Sequence, residues 1–562
     1  MELLCMVDPK TREVEQQMKA MYGENEEVDG EYNHELAAST TGGVYVGRKT
    51  DGVVAFKGIP YARQPVGPLR WKSPQPVEES TRVYTAYYFG HSAIQTKMSG
   101  NRPSLYPQGE DCLTLNIWTA GLHAQTKSPV IVFIYGGAFA WGGTNEPVYN
   151  GHNFVKAHPN VVMVTINYRL GLFGFIDFSK EKGGKDFPDS TNLGLLDQQE
   201  ALRWVQRNIE TFGGDPDNVT IMGESAGAAC ATLLSCMDSA RGLFKRVIAQ
   251  SGSVALTSSR HEARLLARKL MAAAHVRSVD QLMNLSTEKL AALNTKVASY
   301  YCFAVRDGHI VPNDLYYRFA TGFNSNIDFL LGTNKDELRF LLGLLHNKRM
   351  YEAGVNVWLE DLMKHLTPYE RRCINLFIKH EQGEKVWRLT EFINDLLMRV
   401  PAAIEAQLHA EAGGRSYVYY WTWPSAYAQC GACHTVELAY VLNNTDETIW
   451  TGGNINLQLA KDVQQMWVNF ATYGNPSTPE HTWPTYNEDT RRVMTLGATP
   501  HVENNPMAER TRLVMPLSLR YPSPLYSNLS LDVPYVYKRL AIAATAFVSA
   551  MVVTLIIRRG RR

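Results

Sequence analysis

Residues 218–236 read NVTIMGESAGAACATLLSC, and this stretch decides the fold. Asn218–Met222 is short, apolar and β-branched, as a buried strand requires, and Ala226–Cys236 is a run of small residues at helical spacing. Between them stands Gly223-Glu224-Ser225-Ala226-Gly227. A serine on a turn between strand and helix is lifted above the sheet edge, and small neighbours let the two elements approach closely.

The same alternation continues outward. Val130–Tyr135 (VIVFIY) and Val161–Tyr168 (VVMVTINY) are apolar runs of the kind buried on both faces. Leu195–Ile209 places Leu195, Leu202, Val205 and Ile209 on one helical face, and Gly213-Gly214-Asp215-Pro216 breaks it. Further strands are expected at Asp328–Leu331, Tyr417–Trp421 and Arg492–Leu496. Strands alternating with helices imply an α/β fold, with a central, mostly parallel sheet covered by helices on both faces.

A serine nucleophile needs donors for the oxyanion it creates. Tyr135-Gly136-Gly137-Ala138-Phe139 follows the first strong strand, so the backbone N–H groups of Gly137 and Ala138 are candidate donors, with Ala226 as the third. The serine also needs a base, and the base an orienting acid. The chain has 15 histidines, and spacing alone does not choose among them.

At this point a resemblance enters. FKGIPYARQPVGPLRWKSPQP (56–76), GEDCLTLNIW (109–118), VFIYGGAF (132–139), NYRLGLFGF (167–175), NLGLLDQQEALRWVQRNIETFGGDPDNVTIMGESAG (192–227) and AQSGS (249–253) resemble type-B carboxylesterases of the cholinesterase-like α/β-hydrolase group. GTNKDE (332–337), GACHTVEL (431–438) and MWVNFATYGNPS (466–477) extend the likeness. It implies Ser225 as nucleophile, Glu337 as acid and His434 as base, in the chain order of that fold, with no cofactor. The expected activity is hydrolysis of carboxylic esters through an acyl-enzyme. The same fold also occurs in catalytically silent, membrane-tethered adhesion proteins, the alternative reading. Such members typically lose the nucleophile, and this chain keeps all three residues.

Departures from the family pattern are Leu338 after the acid, Ala138 for the third oxyanion glycine and Thr435 after the base. The resemblance implies a disulfide from the cysteine of GEDCL to one upstream, but Ala93 stands in that region and Cys112 is expected to be unpaired. Choline esterases carry a tryptophan in the loop before that stretch; here it reads KMSGNRPSLYPQ, so the expected substrates are uncharged small-molecule esters. Tyr300, Tyr301 and Phe303 are candidates for the acyl side. Cys430-Gly-Ala-Cys433-His434 fits a haem-attachment pattern, but its histidine sits where the hydrolase base belongs. No metal-ligand cluster or phosphate-binding glycine loop is evident.

The 562 residues carry 56 Lys+Arg and 55 Asp+Glu, a formal charge of +1 that argues against a nucleic-acid binder. Leu540–Ile557 (LAIAATAFVSAMVVTLII) is uncharged and flanked by Lys538, Arg539, Arg558, Arg559, Arg561 and Arg562, so a single C-terminal transmembrane helix in the lipid bilayer is expected. The arginine cluster favours a cytoplasmic C-terminus. The absence of a signal peptide and the sparse cysteines, eight in all, favour a cytosolic body. The reading is a polar extension over 1–38, with a helix near Pro9–Met21, a hydrolase domain over 39–520, a connector over 521–537 and a membrane anchor over 538–562.

Overall fold

The computed structural model describes residues 23–95, 107–122, 127–297, 302–340 and 348–520. Its centre is an 11-stranded sheet. In chain order the strands are β1 (Arg48–Thr50), β2 (Val53–Pro60), β3 (Thr114–Thr119), β4 (Ser128–Ile134), β5 (Val162–Ile166), β6 (Gly214–Glu224), β7 (Arg246–Gln250), β8 (Asp328–Asn334), β9 (Ser416–Trp421), β10 (Arg492–Leu496) and β11 (His501–Asn504). Across the sheet they run β1-β2-β3-β5-β4-β6-β7-β8-β9-β10-β11.

From β5 through β10 every pairing is parallel. The pairings of β1 with β2, β2 with β3, β3 with β5 and β10 with β11 are antiparallel. The sequence explains the division. The parallel strands are continuous apolar runs such as VMVTI, buried at every position, as strands covered on both faces must be. The edge strand β1 is Arg-Lys-Thr and fully exposed, and its charges keep the sheet from pairing further.

Four helices matter for the site: α1 (Leu193–Asn208), α2 (Ala226–Ser235), α3 (Val400–Glu411) and α4 (Leu457–Tyr473). α2 leaves β6 at Ser225 and is wholly buried, which its small side chains allow. α1 runs on into a 3-10 turn (Ile209–Phe212) that ends where Gly213 takes a left-handed φ of 80°. The chain then enters β6 at Gly214 rather than at the expected Asn218, because Gly214 already pairs with Ser128 and a bulge separates it from the regular register.

The body also reaches further toward the N-terminus than residue 39. The Asn25 side chain donates to the carbonyls of Lys57 and Tyr88 and accepts from the N–H groups of Tyr87 and Tyr88, and Val28 N–H bonds Val83 O. The expected helix near Pro9–Met21, Tyr300, Tyr301 and the apolar span Leu540–Ile557 lie outside the described residues. Among the described residues no helix is long and apolar enough to cross a membrane.

Candidate active site

β6, β7 and β8 end side by side, with Glu224 opposite Gln250 and Gln250 opposite Gly332. The carboxyl ends of adjacent parallel strands are where α/β sheets build their sites.

Ser225 follows β6 with φ 58° and ψ −124°, a conformation that side chains rarely adopt. Its surroundings enforce it. The Ser225 N–H bonds Gln250 O at 2.8 Å, and Ser225 O accepts from Ala229 N–H at 3.0 Å. The flanking glycines are required by space. A Cβ on Gly223 would lie 2.3 Å from the Gly227 carbonyl carbon, and one on Gly227 would lie 1.9 Å from Ile134 O. The turn therefore wedges β6, α2 and the end of β4 together.

The Gly136–Phe139 segment lies against this turn. Gly137, Ala138 and Phe139 have φ of 109°, 52° and 59°, three successive residues in the left-handed half of φ. Among the described residues no backbone acceptor takes the N–H of Gly137, Ala138 or Ala226. Free N–H groups beside a serine are what a developing oxyanion requires. Ala138 pays steric strain at a position where glycine would be relaxed.

Glu337 follows β8 and His434 lies on a loop facing it, so residues 97 apart in sequence meet: His434 Nδ1 is 2.6 Å from Glu337 Oε2. Asn334 N–H donates to Glu337 Oε1 at 2.7 Å, and His434 N–H donates to Glu337 O at 3.1 Å. The acid and the imidazole are thereby fixed from both ends. The structure brings His434 and Glu337 into contact and sets the Gly136–Phe139 segment against the Ser225 turn, while His434 meets that turn through Glu224.

It also places residues that the sequence reading missed. His434 Nε2 faces Glu224 Oε1 at 3.1 Å, a charge contact, and no hydrogen bond joins it to Ser225. Glu437 lies behind, accepting from Gln250 Nε2 at 3.1 Å and from the Asn334 side chain. Trp467 of α4 donates to Gln250 Oε1 at 3.2 Å. The Phe340 ring packs on the imidazole with 5.3 Å between centroids. The only available signal for Glu224 was its place inside the Gly-x-Ser-x-Gly pattern, which does not say where its side chain turns.

Glu224, Glu337, Glu437 and His434 are all buried, so three carboxylates share one imidazole away from water. Burial raises the Glu224 carboxyl to about 8, opposed by His434 and reinforced by Glu437 and Glu337. Burial also raises Glu437. Burial alone would lower His434; the charges of Glu224 and Glu337 overcome it and lift the imidazole to about 9. The cluster thus keeps its excess negative charge in check by retaining protons.

Thr435, like Ala138, is a departure strained where it stands. Thr435, a β-branched residue, has φ 72°, and its hydroxyl is buried without a hydrogen-bond partner. Phe303, a candidate for the acyl side, packs on Phe139 of the oxyanion segment at 5.3 Å between centroids. The described cysteines are all free, Cys112 included. Among the described residues no group of three or more His, Cys, Asp or Glu is arranged to hold a metal ion.

Comparison with known proteins shows the family. A family model described as "Carboxylesterase family" matches residues 35–514. The para-nitrobenzyl esterase of Bacillus subtilis is 32% identical over 502 residues, covering 86% of this chain and 99% of that protein. Carboxylesterase 1E of Mus musculus is 31% identical over 503 residues, covering 80% and 87%. Among solved structures, a Geobacillus stearothermophilus carboxylesterase matches with a TM-score of 0.78 and 30% identity, over 85% of this chain and 99% of that one. The chain belongs to the carboxylesterase family, has the α/β-hydrolase fold, and is a carboxylic ester hydrolase.

Proposed function

We propose that Ser225 attacks the ester carbonyl while His434 takes its proton and Glu337 holds the imidazole in the right tautomer and stabilises its charged form. The N–H groups of Gly137, Ala138 and Ala226 bind the oxyanion. His434 then protonates the departing alcohol, and water, activated by the same imidazole, hydrolyses the acyl-enzyme. The observation that carries this reading is the 2.6 Å contact of His434 Nδ1 with Glu337 beside a serine held at φ 58°. In the resting state Nε2 rests on Glu224, and a small turn of the ring toward Ser225 completes the relay.

The substrates are uncharged carboxylic esters. The reading is supported by the lack of a tryptophan in KMSGNRPSLYPQ, which leaves no indole there to hold a quaternary ammonium. The test is turnover of a simple aryl ester and of a choline ester by wild type and Ser225→Ala. Wild type is expected to favour the aryl ester, and Ser225→Ala to lose turnover with an unchanged circular dichroism spectrum. Retained burst kinetics in Ser225→Ala would overturn the nucleophile assignment.

We further propose that Leu540–Ile557 anchors the enzyme in a lipid bilayer with the catalytic body in the cytosol. Its uncharged sequence spans about 27 Å as a helix at roughly 1.5 Å per residue. Protease protection on sealed vesicles reads the orientation: the body is expected to be digested from the cytosolic side.

A further inference from the structure

One chemically capable group beside the site is unused by ester hydrolysis. Cys430 and Cys433 lie in one tight turn that ends at His434. The Cys430 N–H bonds Tyr427 O at 2.8 Å, and Gly431, with a left-handed φ of 59°, bends the chain between the two cysteines. The two thiols influence each other electrostatically, and both residues are buried. The turn is clamped to the loop that carries Glu337. Ala432 N–H donates to Asp336 Oδ2 at 2.9 Å, Asp336 N–H donates to Ala432 O at 2.9 Å, and Cys433 O accepts from Asn334 Nδ2 at 2.9 Å.

That last contact couples the thiols to the acid and the base. Asn334 also holds Glu337 through its N–H and Glu437 through its side chain. His434 is the next residue after Cys433. A displacement of Cys433 therefore moves the imidazole and one of the groups that position its carboxylate partners.

Cys430 differs from the other thiols in the direction of its pKa. The neighbouring Cys433 thiol lowers Cys430 against the opposing effect of burial, and the Arg339 guanidinium adds to the lowering, while Cys433 itself is raised by Cys430 and by burial. Burial raises Cys112, Cys230, Cys236 and Cys302. A thiol of lowered pKa beside a second thiol is the arrangement of an oxidisable pair, with one attacking and one resolving sulfur.

We propose that Cys430 and Cys433 are a modification site, a dithiol that a peroxide closes to a disulfide, and that closure slows the hydrolase by displacing His434. The inference rests on the reading of His434 as the base. The Cys430 thiolate attacks one peroxide oxygen, the O–O bond breaks, and the departing hydroxide takes a proton to become water. The resulting sulfenic acid is attacked by the Cys433 sulfur, the S–S bond forms, and a second water leaves. Two thiols lose two electrons and two protons, and one peroxide is reduced to two waters. Closure draws the two separate sulfurs together to a bond of about 2.05 Å. A shift of that order at an active site costs about tenfold or more in rate.

The test uses the full-length protein, hydrogen peroxide as oxidant and an uncharged aryl ester as substrate. After peroxide treatment kcat is expected to fall about tenfold or more, and the peptide containing both cysteines to lose the mass of two hydrogens. Dithiothreitol is expected to restore both. Cys430→Ser is expected to hydrolyse the ester at the rate of reduced wild type and to show no reversible loss. No crosslink in wild type, a crosslink with unchanged kcat, or the same reversible loss in Cys430→Ser would each overturn the proposal. The mass measurement on wild type decides the crosslink even where Cys430→Ser does not fold. Should reduced wild type with intact Ser225 fail to hydrolyse any ester, the reading of the site falls instead, and the mass measurement still decides whether the dithiol closes.

Discussion

Two kinds of buried charge cluster in this protein follow opposite rules. Arg169 and Asp197 form a dry pair, with Nε to Oδ2 at 2.8 Å and Nη2 to Oδ1 at 2.6 Å, and the remaining donor Nη1 reaches Lys72 O at 2.8 Å. Arg70 and Glu110 do the same, Nε to Oε2 at 2.6 Å, and Arg70 Nη1 reaches the carbonyls of Met283 and Leu285. Each carboxylate has its guanidinium and each guanidinium its acceptors, so these pairs lock loops in place. Around His434 three carboxylates have one imidazole among them, and no guanidinium is bonded to them. Charge that is matched makes scaffold. Charge left in excess holds protons in the pH range where a base must give and take them.

Breaking the unmatched cluster at its strongest contact is expected to have the largest effect. Glu337→Gln keeps the shape but lets His434 adopt the wrong tautomer, and kcat is expected to fall about 10⁴-fold, worth ~5 kcal/mol, in a steady-state ester assay. Breaking the matched pair acts on stability instead. Asp197→Asn strands the buried Arg169 guanidinium and is expected to cost about 3–5 kcal/mol, read as a lower urea midpoint, without moving the pH profile of whatever enzyme remains folded.

The third change sharpens the contrast. On the proposed mechanism His434 must be neutral to accept the serine proton, and the charges of Glu224 and Glu337 lift it to about 9. The rate is therefore expected to rise with pH as the cluster loses a proton, with its limb toward about 9 rather than at the ordinary imidazole value. Glu224→Gln removes one of the lifting charges, so the limb is expected to move down by ~1 pH unit. A pH–rate profile of kcat/KM checks it, and an unmoved limb would assign the lift to Glu337 and Glu437. The smallest effect is expected at Thr435, whose φ of 72° suits glycine: Thr435→Gly is expected to gain about 1 kcal/mol in thermal unfolding.

Much of this was legible beforehand, for identifiable reasons. Continuous β-branched runs mark doubly buried strands, so β4 and β5 were readable almost residue by residue. Ser225 was readable because a nucleophile on a tight turn needs small neighbours on both sides, and the space around Gly223 and Gly227 shows why. His434 carried no local pattern, since its partner Glu337 is 97 residues away and spacing says nothing about loops that meet only in the fold. Resemblance found it. Glu224 was in plain view within the pattern and still unread, because the pattern constrains backbone room and leaves the direction of that side chain open. Glu437 and Asn334 were hidden for the same reason as His434. The early start of the body at Asn25 was missed because a polar stretch can be held by one side chain's hydrogen bonds, with no apolar run to announce it.

The central claim is that Ser225, held at φ 58° between β6 and α2, is the activated nucleophile. Reaction with a fluorophosphonate followed by peptide mass spectrometry tests it directly. One phosphonyl group is expected per chain, on Ser225, with loss of esterase activity in the same proportion and no labelling of Ser225→Ala. An adduct on another residue, or an active Ser225→Ala enzyme that still takes the label, would contradict it.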